Sequence, residues 1–179
     1  MEAIEQLQEI YVLHKVGLHE PKVCIDWAIE RLQLDQEEND LDIILLAAAT
    51  KREEVLPLTR AVLEKYCNLS TLDEQLIIGK HIVELYQKYL SKSETIKSLD
   101  CKFTRLCNDL GYPNWLVMLS RNCEYATDIP AFQECFEQEF EYIASLWSSN
   151  VDRLQYFSRT ALVSGNTSSR FVAAAKSII

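Results

Sequence analysis

Apolar residues recur along most of this chain at the spacing of an amphipathic α-helix. In segment 71–90 one apolar stripe runs from Leu72 through Leu76 to Val83, and a second stripe lies beside it. Such a broad apolar face predicts a central helix that contacts its neighbours on more than one side. Segment 129–147 also carries apolar residues on one face, namely Phe132, Phe136, Phe140, Ile143 and Trp147.

The remaining segments carry shorter versions of this periodicity, and none shows the period-two alternation of a β-strand. We expect an all-α protein, a single domain over residues 1–179 with about nine to ten antiparallel helices, either a bundle or irregular stacked helical hairpins. The predicted helices cover 2–17, 22–33, 41–49, 52–66, 71–90, 94–110, 114–125, 129–147, 151–163 and 167–178. Thr71 is the expected N-cap of the fifth, with Glu74 as its capping-box partner. Pro57 should either kink the fourth helix or mark its true first turn.

Gly111 and Pro113 interrupt this pattern between two predicted helices, beside two aromatic residues that look exposed. Gly111 suits a left-handed residue after one helix, and Pro113 suits the start of the next. Tyr112 and Trp115 leave two interpretations open. The segment is either a simple joint or a binding loop, and the joint is the first choice.

Composition places the chain among folded globular proteins, with 48% apolar and 25% charged residues in a length of 179. The acidic start "MEAIEQLQEI" lacks the basic and apolar regions of a signal peptide, and no apolar run approaches the roughly 18 residues of a membrane span. We therefore expect a cytoplasmic protein without membrane contact. The six cysteines lack metal-binding spacing, so we expect buried, reduced thiols and no metal.

The net charge of −9 is concentrated in two acidic blocks, residues 1–42 with −8 and residues 124–152 with −7. The second block contains no lysine or arginine. An acidic surface repels phosphates, which argues against nucleic-acid binding, and it suits a basic protein partner. The alternative is an ordinary solvated face, and the sequence leaves both open.

Within the second block, Glu134, Glu137 and Glu141 form one stripe of a helix at about 100° per residue, opposite its apolar face. Glu137 and Glu141 repel each other at the i, i+4 spacing, which weakens an isolated helix. Glu139 lies nearer the apolar side, so burial there would raise its pKa.

Motifs that signal catalysis are absent from the sequence. The three histidines lack ExxH and HExxH spacing, and neither a nucleophile elbow nor a glycine-rich phosphate loop occurs. We therefore expect a non-enzymatic protein without cofactors. A helical enzyme with a site assembled from dispersed residues is the remaining alternative of that class.

Three strings of the sequence resemble helical immunity proteins of bacterial polymorphic-toxin and contact-dependent growth inhibition systems. They are "DWAIERL" (26–32), "LAAATKREEVLPLTRAVLEKY" (46–66) and "LGYPNWLVMLS" (110–120), and the general pattern covers the larger part of the chain. The resemblance implies a small cytoplasmic protein that binds one cognate toxin, often a nuclease with a basic cleft, and blocks it without chemistry of its own. It transfers no functional residue.

Two functions fit the charge and the resemblance. The first is a toxin-neutralising immunity protein that binds a basic toxin, expected to be a nuclease, and blocks its active site or substrate binding. The alternative is a helical adaptor or regulatory protein that binds a basic peptide or protein. The predicted partner-binding residues are Glu37, Glu38, Asp40, Asp42, Tyr112, Trp115, Glu124, Asp128, Glu134, Glu137 and Glu141.

Overall fold

The computed structural model describes residues 2–34 and 40–148, and every regular element in these ranges is helical. This part of the chain holds α1 (Glu2–Lys15), α2 (Pro21–Gln33), α3 (Leu41–Ala47), α4 (Arg52–Tyr66), α5 (Glu74–Leu90), α6 (Ile96–Asp109), α7 (Asn114–Asp128) and α8 (Gln133–Ser148). Short 3-10 turns at Leu69–Thr71 and Pro130–Phe132 precede α5 and α8.

These helix bounds confirm the all-α prediction for the described residues. The predicted helices 151–163 and 167–178 lie outside those residues, and the expected antiparallel arrangement of nine to ten helices stays a prediction. Within the described ranges, no helix is both long and apolar enough to cross a membrane.

Side chains that accept backbone N–H groups show why two helices begin where they do. The Asp40 carboxylate accepts the N–H of Asp42 at 2.9 Å and caps α3. At α5, the Asp73 carboxylate accepts the N–H of Leu76 at 2.9 Å. The prediction of Thr71 as N-cap is therefore wrong, because Thr71 closes the 3-10 turn and α5 starts after it.

Pro57 lies inside α4 rather than in its first turn. The helix runs from Arg52 to Tyr66, so the first-turn alternative is wrong. A proline nitrogen cannot donate the hydrogen bond that an interior helix residue normally gives. Two residues later the buried Thr59 hydroxyl donates to the Val55 carbonyl at 2.8 Å, so its own polar group is satisfied within the helix.

The chain divides into two compact units, and the division falls inside α5 and α6. The described residues of the first unit are 2–34, 40–81 and 101–112, and those of the second are 82–100 and 113–148. Each of these two helices therefore contributes residues to both units. The expectation of a single domain over 1–179 stays a prediction.

The first unit is built around the four helices at the start of the chain. In it α1 packs on α2 and α4, and α3 packs on α2 and α4. Its core contains fully buried aliphatic side chains, including Leu7, Leu13, Ile43, Leu46 and Leu63. Burial of each such side chain contributes about 1.5–3 kcal/mol to folding.

Aromatic and aliphatic side chains together form the core of the second unit, where α7 packs on α8. From α5, the Tyr86 ring contacts Phe140 with centroids 5.1 Å apart, and the Tyr89 ring contacts Phe136 at 5.7 Å. Both phenylalanines are fully buried. The apolar face of α8 therefore belongs to the core of this unit. Each edge-to-face pair adds about 0.5–1.5 kcal/mol beyond the burial of its rings.

Candidate protein-binding surface

The joint between α6 and α7 holds two consecutive residues in the left-handed backbone region. Gly111 has a φ of +68°, as predicted, and Tyr112 follows with a φ of +60°. The Tyr112 N–H donates to the Cys107 carbonyl at 2.8 Å, and its hydroxyl donates to Asn108 Oδ1 at 2.5 Å. The residue is nevertheless 62% exposed. Tyr112 is thus fixed at the surface and remains a candidate interface residue.

Trp115, the other aromatic residue near this joint, is buried with only 4% of its surface exposed. Its ring lies edge to face against Trp147, with centroids 5.1 Å apart. The predicted partner-binding role of Trp115 is therefore wrong, because its ring belongs to the core of the second unit. Of the two aromatic residues, only Tyr112 is exposed, so the binding-loop interpretation now depends on Tyr112.

Asp40 and Asp42 of the first acidic block pair with a lysine from α4. Lys65 Nζ lies 2.7 Å from Asp40 Oδ1 and also pairs with Asp42, while the Tyr66 hydroxyl donates to Asp40 Oδ2 at 2.7 Å. Partial burial opposes ionisation of Asp40, but these hydrogen bonds outweigh it and hold the pKa of Asp40 below its usual value. Both carboxylates tie α3 to α4. Their role in partner binding stays a prediction. The other two predicted residues of this block, Glu37 and Glu38, lie outside the described residues.

The three glutamates of the predicted α8 stripe differ in their surroundings. Glu134 and Glu141 are exposed. Glu137 is half-buried and accepts hydrogen bonds from the Tyr89 hydroxyl at 2.7 Å and from Gln133 Nε2 at 2.9 Å. The Tyr89 bond, followed by the Gln133 bond, lowers the pKa of Glu137. Glu137 therefore stabilises the second unit from within, and Glu134 and Glu141 are the accessible members of the stripe.

Asp100 of α6 joins Glu124 and Asp128 of α7 in an acidic cluster within the second unit. Asp100 Oδ1 is buried and accepts no hydrogen bond from the described residues. Loss of solvent, followed by the negative charges of Glu124 and Asp128, raises the pKa of Asp100. Both α7 carboxylates are exposed. The name "acidic cluster" below means these three residues.

One arginine lies near the acidic cluster. Arg121 Nε donates to the Tyr125 hydroxyl at 3.0 Å, and the guanidinium lies 5.6 Å from the centroid of that ring. This hydrogen bond, more than the charge of Glu124, raises the pKa of Arg121. Among the described residues, no lysine or arginine nitrogen comes within ion-pair distance of the acidic cluster, Glu134 or Glu141. Arg121 therefore offsets part of the charge of Glu124 from a distance, but it forms no ion pair with the cluster.

The surroundings of Glu139 were predictable from the sequence, whereas those of Asp100 were not. Glu139 is half-buried, and burial raises its pKa as expected. Asp100 belongs to the segment 43–123, where bases outnumber acids, so the charge count concealed it. The sequence places Asp100 in a predicted helix, but it does not show which carboxylates of other helices lie beside it.

The cysteines divide into buried and exposed free thiols. Cys24, Cys107 and Cys123 are buried, Cys67 is half-buried, and Cys101 and Cys135 are exposed. The expectation of buried thiols is therefore wrong for Cys101 and Cys135. In the part of the chain that the structure describes, no group of three His, Cys, Asp or Glu side chains is arranged to hold a metal ion.

Comparisons with known proteins assign no family to this chain. No protein-family model matches the sequence, and no curated protein or solved structure matches it either.

Proposed function

We propose that this protein is a toxin-neutralising immunity protein that binds a basic protein toxin, with a nuclease as the expected class, and blocks its active site or substrate binding. The observation that carries the proposal is the acidic cluster of the second unit. Three carboxylates share one region without a cation at ion-pair distance among the described residues, and Asp100 Oδ1 lacks a donor. A basic partner would supply the missing charge and the missing hydrogen bond.

The electrostatics of the acidic cluster favour a cationic partner over a neutral one. Burial is the larger cause of the raised pKa of Asp100, and the negative charges of Glu124 and Asp128 add to it. That repulsion between carboxylates is present in the free protein and is relieved when a positive charge approaches. Two unit charges 4 Å apart attract by about 4 kcal/mol near a protein surface, before desolvation and side-chain ordering reduce the gain to about 1 kcal/mol or less per exposed pair. Complementary charge also speeds association, and added salt weakens that effect.

Glu134, Glu141 and Tyr112 supply further accessible groups of the predicted kinds. The two glutamates are exposed on α8, and Tyr112 is held at the surface by its bond to Asn108. Tyrosine is enriched at interfaces because it offers a large, semi-rigid contact area with a polar tip. We expect Glu134 and Glu141 to direct the approach of a basic partner on the second unit, and Tyr112 to be a contact residue on the first.

The proposal is tested with the polypeptide encoded by the adjacent upstream gene. Co-expression should relieve any growth inhibition that this polypeptide causes, and the purified proteins should associate more slowly as salt rises. Glu124→Gln combined with Asp128→Asn removes two charges of the acidic cluster while keeping side-chain shape, and should weaken binding roughly tenfold.

Glu20→Gln combined with Glu30→Gln is the matched control, because it removes two exposed charges from the first unit. Equal affinity of both double variants and the unaltered protein would exclude the acidic cluster as the binding site. Similar affinity for several unrelated basic peptides would favour the adaptor function instead.

A further inference from the structure

A groove of about 620 Å³ opens on the first unit between α1, the 3-10 turn before α5, and the first turns of α5. Its lining includes Glu5 and Glu9 of α1 and Leu72, Asp73, Leu76 and Ile77 at and just before the start of α5. All of these residues belong to one unit, so the groove is complete within it. The groove was not anticipated from the sequence, because its two sides are more than 50 residues apart along the chain.

The lining combines negative charge with apolar surface. Glu5, Glu9 and Asp73 contribute carboxylates to the lining, and Lys80 contributes an ammonium group. Leu72, Leu76 and Ile77 are half-buried and provide apolar contact area in the same groove. Such a lining suits a ligand that has an aliphatic stem and a cationic head.

Hydrogen bonds fix the chain that forms one side of this groove. Asn68 Oδ1 accepts the Ser70 N–H at 3.0 Å, and the Thr71 hydroxyl donates to the Asn68 carbonyl at 2.8 Å. Asp73 caps the start of α5, as described above. A site that is already ordered before binding loses less conformational entropy when a ligand enters.

An ion pair connects the two helices that flank the groove. Lys15 Nζ at the end of α1 lies 2.7 Å from Glu74 Oε1 at the start of α5. Both side chains are well exposed, so the pair adds little stability. Lys15 therefore pairs with Glu74, and neither residue lines the groove.

We propose that this groove binds an arginine or lysine side chain of the basic partner, so the inference rests on the proposed function. The aliphatic stem of such a side chain would lie against Leu72, Leu76 and Ile77 while its charged head meets the carboxylates. A phosphate would be repelled by the net negative lining. A purely apolar side chain would remove water from carboxylates without replacing their hydrogen bonds.

The test uses the full chain, isotope-labelled for amide NMR, and two short probe peptides. Acetyl-Leu-Arg-Leu-amide carries the proposed side chain, and acetyl-Leu-citrulline-Leu-amide replaces it with a neutral group of almost the same shape. We expect the arginine peptide to shift the amides of Leu72, Asp73, Leu76 and Ile77. The citrulline peptide should bind about fivefold more weakly, as expected for the loss of one charge pair.

Variants then assign the binding to the groove. Glu5→Gln combined with Glu9→Gln should weaken the arginine peptide about fivefold, and the Glu20→Gln, Glu30→Gln control should leave it unchanged. Equal binding of the two peptides, or shifts confined to residues outside the groove, would overturn the proposal. The peptide comparison uses the unaltered protein, so it remains decisive even if the Glu5 and Glu9 variant folds poorly.

The same variants distinguish binding at the groove from binding at the acidic cluster. The Glu124→Gln, Asp128→Asn variant should keep full affinity for the arginine peptide, because its changes lie in the second unit. One outcome is that the Glu124→Gln, Asp128→Asn variant also binds the toxin normally while the Glu5→Gln, Glu9→Gln variant does not. That result would support the groove as a binding site and exclude the acidic cluster. The converse result removes the groove and leaves the proposed function intact.

Discussion

Replacing Tyr89 with phenylalanine removes one hydroxyl from the second unit and tests whether its hydrogen bond to Glu137 stabilises that unit. The Tyr89 hydroxyl donates to Glu137 Oε1 at 2.7 Å, and its ring packs on Phe136 with centroids 5.7 Å apart. Phenylalanine keeps the ring contact and deletes the hydrogen bond. Glu137 retains its second donor, Gln133 Nε2, at 2.9 Å.

The expected loss of stability is about 1–1.5 kcal/mol. A hydrogen bond to a charged group contributes about 1.5–3 kcal/mol to stability. The pair is partly exposed, so solvent screening places it at or below the low end of that range. Burial, and then the bond to Glu137, raise the pKa of Tyr89 from 10.0 to about 12, so only part of that shift measures the bond.

The contribution of this bond depends on pH in both directions. The pKa of Glu137 is lowered in the folded state, so its stabilisation is present above about 4.5 and is lost as pH falls through the folded-state pKa. The pKa of Tyr89 is raised, so its stabilisation is present below 10.0 and is lost as pH rises through about 12. The effect of Tyr89→Phe should therefore be largest near neutral pH and smaller near pH 3.

Urea denaturation followed by circular dichroism measures the difference, with Tyr86→Phe as the matched control. Tyr86 is on the same helix and packs on Phe140, but its hydroxyl makes no hydrogen bond to the described residues. We expect the control to change the unfolding free energy by less than about 0.5 kcal/mol. A Tyr89→Phe effect no larger than that of Tyr86→Phe at pH 7, or one that grows at pH 3, would refute this account of Glu137.

Three other changes test separate features of the structure. Asp40→Ala removes the α3 cap and should lower the unfolding free energy by about 1–2 kcal/mol in urea, whereas an unchanged midpoint would contradict the role given to Asp40. Gly111→Ala adds a Cβ at a φ of +68° with nothing within 4 Å, so backbone strain alone should cost about 1 kcal/mol and lower Tm by several degrees. A Tm equal to that of the unaltered protein would argue against the left-handed joint. In the folded protein, Cys101 and Cys135 should react with a disulfide reagent much faster than the buried Cys123, and equally fast modification of Cys123 would contradict its burial.

The sequence by itself determined the helical class and most helix bounds in the described residues. Helical periodicity is a local property, because residues three and four apart share a face whatever the rest of the chain does. The left-handed conformation of Gly111 was also predictable, since glycine is the residue that adopts it without a steric cost. The start of α5 was misplaced because Thr71 and Asp73 both offer an oxygen suited to capping, and the local pattern does not choose between them.

Only the tertiary structure decided which predicted surface residues are accessible. Trp115 is buried against Trp147, Asp40 is paired with Lys65, and Glu137 accepts the Tyr89 hydroxyl, all through contacts between segments distant in sequence. Asp100 became a candidate for the same reason, because α6 brings it beside the carboxylates of α7. Burial and charge compensation depend on which helices pack together, and a periodic pattern shows which face of a helix is buried without naming its neighbour.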